Sequence, residues 1–143
     1  MGAKLAVTIL LACFASPVLA AKELDGVLMM HEGHFRSKGA KFFDSRFQFL
    51  LFTADYGLCE HCEEWEKTWV ELAATLNEEH TDVAAIDCST HSPSCKRFRV
   101  KYFPTVVLLF NGKKSKEYEG PREIGELVNY VRRTAAAVFK TEL

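Results

Sequence analysis

Apolar and polar positions along this chain follow two periods in alternation. Val27 to Met30 is a short apolar run that predicts a first strand, with a weak helix or loop from Phe35 to Asp44. Phe47 to Phe52 is almost continuously apolar, the pattern of a central strand covered on both faces. After it, Cys62, Trp65, Trp69, Leu72, Ala73 and Leu76 recur at spacings of three and four. That spacing is one buried stripe on a helix running to about Glu79. Val83 to Asp87 reads as the next strand and Ser92 to Phe98 as a short helix. Thr105 to Phe110 is a strong strand, and Asn111-Gly112 is a hairpin turn into Lys114 to Tyr118. Ile124, Leu127, Val128 and Val131 define a closing helix, with Pro121 near its start. A crossover helix between two central strands, followed by a hairpin and a helix, predicts an α/β sandwich.

The two ends of the chain fall outside this pattern. Lys4 precedes an almost wholly apolar run from Leu5 to Leu19, and Val18-Leu19-Ala20 places small residues at a cleavage position. The expectation is a signal peptide over residues 1–20, cleaved after Ala20 or Ala21, because the run is short for a membrane anchor. The last four residues, Lys140-Thr141-Glu142-Leu143, resemble the KDEL-type retrieval signal with Thr where Asp usually stands. Together the ends predict the endoplasmic reticulum lumen, with secretion as the alternative. Residues 134–143 are expected as an exposed tail that a receptor can read, beginning in a fraying helix end at Ala135-Ala136-Ala137.

Composition narrows the function class. Cleavage removes Lys4 and leaves 17 basic against 19 acidic residues, with no basic stripe to suggest nucleic acid and no later segment able to span a membrane. It also removes Cys13 and leaves four cysteines, an even set for an oxidising compartment. No Asn-x-Ser/Thr sequon occurs.

Candidate chemistry centres on Cys59-Glu60-His61-Cys62, a C-x-x-C where the apolar strand gives way to the helix. Thiols three positions apart there lie near the unpaired amides of a first helical turn and within reach of a short-loop disulfide. The partial positive charge of a helix N-terminus favours the thiolate, the form that attacks disulfides, and His61 adds a second cationic group. Glu60, Glu63, Glu64 and Glu66 oppose this, but water screens carboxylates near an exposed thiolate. The expected reduction potential lies between about −180 mV and about −270 mV.

With these motifs the chain resembles a thioredoxin domain of the protein disulfide isomerase family over residues 25–133. The resemblance rests on the CEHC, on Phe103-Pro104-Thr105, and on Glu117-Tyr118-Glu119-Gly120-Pro121-Arg122. Asp87-Cys88-Ser89-Thr90-His91-Ser92-Pro93-Ser94-Cys95 is similar to a loop of the three-domain endoplasmic reticulum thioredoxin proteins. It implies a thioredoxin fold, a central mixed β-sheet flanked by helices, and a thiol–disulfide oxidoreductase that needs no cofactor. It also implies that Cys59 is the exposed nucleophile, that Cys62 resolves the mixed disulfide, and that Pro104 is cis so that Phe103 can pair with substrate. Arg122 matches the arginine that approaches the buried cysteine.

Several positions depart from the family pattern. Leu58 replaces the Trp before the first cysteine, Asp55-Tyr56-Gly57 lengthens the approach loop, and Lys67 stands where the family helix has a kinking Pro. Leu51 occupies the place of a buried Glu that assists proton transfer, and Ala85 that of its Lys partner. Losing both members of a buried pair can be neutral for stability, so folding is expected to survive while deprotonation of Cys62 slows.

Cys88 and Cys95 read as a structural disulfide closing a short loop, with a second redox pair as the rival. A zinc site made from the four cysteines with His61, His80 and His91 fits no common ligand spacing, so no metal is expected. His31, His34, His80 and His91 read as surface residues, while Trp65, Trp69, Phe42, Phe43, Phe47 and Phe49 read mostly as core. The expected partners are folding secretory proteins as clients, with an upstream sulfhydryl oxidase or glutathione to recharge the Cys59–Cys62 pair. The competing reading is a client-binding adaptor or chaperone with little turnover.

Overall fold

The computed structural model describes residues 21–35, 47–76, 79 and 81–142. The expected leader, the 36–44 part of the weak element with Phe42 and Phe43, His80 and Leu143 lie outside the described residues. Chain order is β1 (Leu28–Met29), a 3-10 turn (Glu32–Phe35), β2 (Phe47–Thr53), α1 (Cys62–Leu76), β3 (Thr81–Asp87), α2 (Ser92–Arg97), β4 (Thr105–Phe110), β5 (Lys113–Glu117) and α3 (Ile124–Glu142). The strands form one sheet in the order β1-β3-β2-β4-β5. β3 runs parallel to β1 and β2, whereas β4 runs antiparallel to β2 and β5. This is the mixed sheet with flanking helices that the resemblance implies.

β2 lies at the centre, and all seven of its residues are buried. Its pleat explains the unbroken apolar run. Phe47, Phe49 and Leu51 face one core with Trp69, Leu72 and Ala73 of α1 and Leu127 and Val131 of α3. Leu50 and Phe52 face the opposite core, with Ile86 of β3, Val107 and Leu109 of β4, and Phe98 beyond α2. Trp69 is fully buried, and its Nε1–H donates to the Ala84 carbonyl at 2.7 Å, pinning α1 onto β3. The turn between β4 and β5 carries positive φ at both Asn111 (48°) and Gly112 (72°), as a two-residue hairpin of this kind requires.

Element ends differ from expectation where the pattern is weak. β1 keeps only the middle two residues of Val27–Met30, and β3 starts two positions early so that Thr81 can pair with Phe47. The described part of α1 runs Cys62–Leu76, and the Glu79 amide donates back to the Leu76 carbonyl at 2.8 Å. Residues 134–142, expected as an exposed tail, are the continuation of α3. Ala135 and Val138 extend its apolar stripe onto the core, and the Phe139 ring stands 5.8 Å from that of Phe47. Lys140 and Thr141 are exposed. Among the described residues, no helix is long and apolar enough to cross a membrane.

Candidate active site

The chain leaves β2 at Thr53 and reaches α1 through a loop whose turns follow from its extra residues. The Leu58 amide donates to the Asp55 carbonyl at 2.8 Å and the Cys59 amide to the Tyr56 carbonyl at 3.4 Å. Asp55-Tyr56-Gly57 is therefore a turn that carries Leu58 to the surface, where it is 74% exposed, directly before the first cysteine. Cys62 is the first residue of α1, and its amide donates to the Cys59 carbonyl at 3.4 Å. Glu63 and Glu64 occupy the first turn, where carboxylates suit the helix dipole. Lys67, in place of a proline, leaves α1 unbroken and pairs with Glu63 one turn back at 2.9 Å.

Cys59 and Cys62 form a disulfide, with their Cα atoms 5.4 Å apart. Cys62 is fully buried. Cys59 is 3% exposed, which corrects the expectation of an exposed nucleophile for this oxidised form. The lengthened loop and the packing of Ala54 and Phe103 around the pair account for that cover. Glu60 and His61, between the cysteines, are exposed.

Phe103–Pro104 is a cis peptide, and Phe103 packs against the cysteine pair from the start of β4. The Thr105 hydroxyl donates to the Tyr102 carbonyl at 2.7 Å and closes this turn. The structure thus brings Cys59, Cys62 and Phe103-Pro104 together. Arg122 is engaged differently from the expectation, since its Nη1 pairs with Glu64 Oε2 at 2.7 Å on the outer side of α1. Leu51 and Ala85 are register partners on β2 and β3, and both are fully buried in the same core. Apolar packing fills the place where the resemblance implies a charged pair.

Cys88 and Cys95 form the second disulfide, their Cα atoms 5.9 Å apart. Asp87 shapes the loop between them by accepting from the Ser89 amide (3.0 Å) and the Thr90 hydroxyl (3.2 Å). Ser89 Oγ then accepts from the Asp55 amide at 2.8 Å, and the Cys88 amide donates to the Thr53 carbonyl at 2.8 Å. The stapled loop so braces the start of the approach to Cys59, where the chain leaves β2.

Two groupings were not foreseen from the sequence. Glu66, read there only as a nearby charge, is 3% exposed. Its Oε1 accepts from Lys22 Nζ at 2.8 Å and from the Thr53 hydroxyl, and its Oε2 accepts from the Tyr56 hydroxyl at 2.7 Å. Lys22 Nζ also donates to the Ala54 carbonyl at 3.2 Å and lies 4.8 Å from the Tyr56 ring. The bond to Glu66 pushes the Tyr56 hydroxyl pKa up to about 12. The available signal was the position of Glu66, four residues after Cys62 and three before Trp69, on the edge of the buried stripe. The second grouping joins His31, His34 and His91, with His91 Nδ1 2.9 Å from Glu32 Oε2. The half-buried His34 and His91, with the exposed His31, hold the 3-10 turn against the start of α2, and burial followed by the charge of His31 lowers the His34 pKa. Among the described residues, no three His, Cys, Asp or Glu side chains are placed to hold a metal ion.

The family model described as thioredoxin matches residues 27–133. The chain belongs to the thioredoxin family. Within that family it is 36% identical over 86 residues to the thioredoxin domain-containing protein 5 homolog of Drosophila melanogaster, covering 59% of this chain and 20% of that protein. It is 34% identical over 116 residues to protein disulfide-isomerase A4 of Bos taurus, covering 80% of this chain and 17% of that protein. This chain therefore spans only a small part of either relative. The solution structure of the first thioredoxin domain of mouse protein disulfide-isomerase A4 matches with a TM-score of 0.64 at 31% identity, covering 82% of this chain and 81% of that one. A zinc-bound form of human ERp44 matches with a TM-score of 0.66 at 23% identity over 75% of this chain and 31% of that one, a likeness of fold. The chain is a thioredoxin-domain protein of the protein disulfide isomerase type.

Proposed function

We propose that this chain is a thiol–disulfide oxidoreductase acting on folding secretory proteins in the endoplasmic reticulum lumen. The observation that carries the reading is the Cys59–Cys62 disulfide at the strand-to-helix junction, with cis Phe103–Pro104 packed against it. In the reducing direction the Cys59 thiolate attacks a client disulfide. A Cys59–client bond forms, the client bond breaks, and the released client sulfur takes a proton. The Cys62 thiolate then attacks Cys59 Sγ, which closes the Cys59–Cys62 disulfide and releases the second client thiol. The client gains two electrons and the dithiol loses two. In reverse the disulfide oxidises a client dithiol and needs recharging, for which glutathione or a sulfhydryl oxidase is the class of partner. His61 is positioned between the cysteines to favour the thiolate, and the exposed Leu58 and Tyr102 offer apolar surface to an unfolded client.

The location is part of this proposal, supported by the likeness to protein disulfide-isomerase A4 and to ERp44. A second reading, a client-binding adaptor with little turnover, draws on the cover over Cys59 and the apolar Leu51 and Ala85. The discriminating variant is Cys62→Ser. An oxidoreductase with that change accumulates covalent mixed disulfides through Cys59, while an adaptor holds clients without a reducible bond.

A further inference from the structure

The Cys59–Cys62 pair is buried, and a buried carboxylate, Glu66, follows one turn along α1. Among the described residues the buried carboxylates are Glu66 and Asp87, and Asp87 is committed to the Cys88–Cys95 loop. Glu66 is flanked on α1 by Trp65 and Trp69, and an apolar residue at this position would close the core with no charge to desolvate. The pair with Lys22 is nevertheless present, with the two side chains 4% and 18% exposed.

Its place on α1 is specific to Cys62. Residues four apart on a helix face the same way, with Cβ atoms about 5–6 Å apart, and each side chain tilts toward the helix N-terminus. Glu66 therefore lies over the turn that begins with Cys62. Lys22 bonds to both the Glu66 carboxylate and the Ala54 carbonyl, and Ala54 packs on both cysteines. On the sheet beneath, Leu51 and Ala85 offer no acid or base. A fully buried Cys62 thiol has no bulk water to take its proton, and burial favours the uncharged thiol.

We infer that the Glu66 carboxylate, with Lys22 as its counter-ion, accepts the Cys62 proton in the resolving step. This rests on the oxidoreductase reading above and deepens it. The Cys62 S–H bond breaks, its proton passes to Glu66, and the sulfur lone pair attacks Cys59 Sγ of the mixed disulfide. The Cys59–Cys62 bond forms as the client sulfur leaves as a thiolate. The proton returns from Glu66 to that leaving thiolate or to solvent, and the Tyr56 hydroxyl links Oε2 to a ring that is 53% exposed. Lys22 supplies the counter-charge to the carboxylate, 2.8 Å from Oε1. The charged and titratable groups bonded to this carboxylate are Lys22 from the N-terminal segment and Tyr56 from the loop, and Cys62 lies one turn back on the same helix. Glu63 acts on the same loop through its charge on Tyr56.

The test is Glu66→Gln, which keeps the shape of the side chain and removes the base. A mixed disulfide is formed with a glutathionylated peptide, and its decay is followed by acid quench and mass spectrometry between pH 6 and 10. The expected result is a resolving step slower by at least about tenfold near pH 6–7. The difference should narrow toward the alkaline end of this range, where rising hydroxide removes the Cys62 proton without the base. The attack by Cys59, measured in the Cys62→Ser background, should be unchanged by Glu66→Gln. An unaltered resolving rate and pH profile in a variant of native melting temperature overturns the assignment and leaves Glu66 a structural tie. Should Glu66→Gln not fold, the Glu66 carboxyl carbon of the wild-type protein is titrated by NMR in its dithiol and disulfide forms. Coupled, different curves are expected, and identical curves overturn the assignment. A wild-type protein that forms no mixed disulfide contradicts the oxidoreductase reading itself, a distinct outcome.

Discussion

Replacing both cysteines of the Cys88–Cys95 bridge by alanine tests whether that pair staples the fold or carries electrons. The two residues are seven apart in sequence. On the chain-entropy relation, freeing a loop of this length in the unfolded chain costs about 2.5 kcal/mol at 25 °C. Both sulfurs are buried against Phe98 and Ile86, so trimming them adds about 1 kcal/mol of lost packing. The expected destabilisation is about 3–4 kcal/mol, which for a domain of this size lowers the melting temperature by roughly 10–20 °C. Urea unfolding without reductant measures the first figure, and scanning calorimetry measures the second. The Ser89–Asp55 and Cys88–Thr53 bonds run through the same loop, so exchange at Cys59–Cys62 should fall by less than about fivefold at temperatures well below melting. A loss below about 0.5 kcal/mol would show that the bridge does not restrain the chain. If Cys88–Cys95 instead interconverts with its dithiol at the same glutathione ratio as Cys59–Cys62, it is a second redox centre and the structural reading fails.

Other consequences are open to direct measurement. Tyr56, pushed up to about 12 by its bond to Glu66, stays protonated in the folded chain where a free tyrosine ionises. Its contribution to stability is present below about pH 10 and is lost as pH rises toward 12. Absorbance at high pH should show this delayed titration, and Glu66→Gln should return it toward the ordinary value. His34 has the opposite sign, because its lowered pKa favours the neutral ring in the fold. Its contribution is present above about 6.5 and is lost as pH falls through the depressed value, which NMR titration of the ring protons can follow. Trp69→Phe removes the donor to the Ala84 carbonyl and part of the central packing. It should cost about 2–4 kcal/mol in urea unfolding, with a cost under 1 kcal/mol arguing against Trp69 as the pin between α1 and β3.

How much of this was legible in the sequence depended on whether the decisive contact was local. β2, β4 and the hairpin could be read because continuous apolar runs and Asn111-Gly112 fix their own structure. The stripe from Cys62 to Leu76 placed α1 and put Cys62 at its start. α3 was read short because the alanines and Phe139 look like a solvated end until Phe47 is known to stand beside them. At the site, the cysteines and cis Pro104 followed from the family motif. The cover over Cys59 did not, because it comes from the geometry of a lengthened turn. Lys22 and Glu66 are 44 residues apart, and no periodic pattern joins them. Arg122 was expected from the motif beside the buried cysteine, whereas it pairs with Glu64, a contact across elements that no local pattern signals.

The most direct measurement is the redox equilibrium of Cys59–Cys62 in the purified chain, equilibrated in graded glutathione buffers and read by alkylation and mass spectrometry. The predicted result is a reversible two-electron transition between about −180 mV and about −270 mV, with Cys88–Cys95 remaining oxidised throughout. A Cys59–Cys62 pair that stays locked in one state, or that titrates above about −150 mV, would contradict a working exchange dithiol.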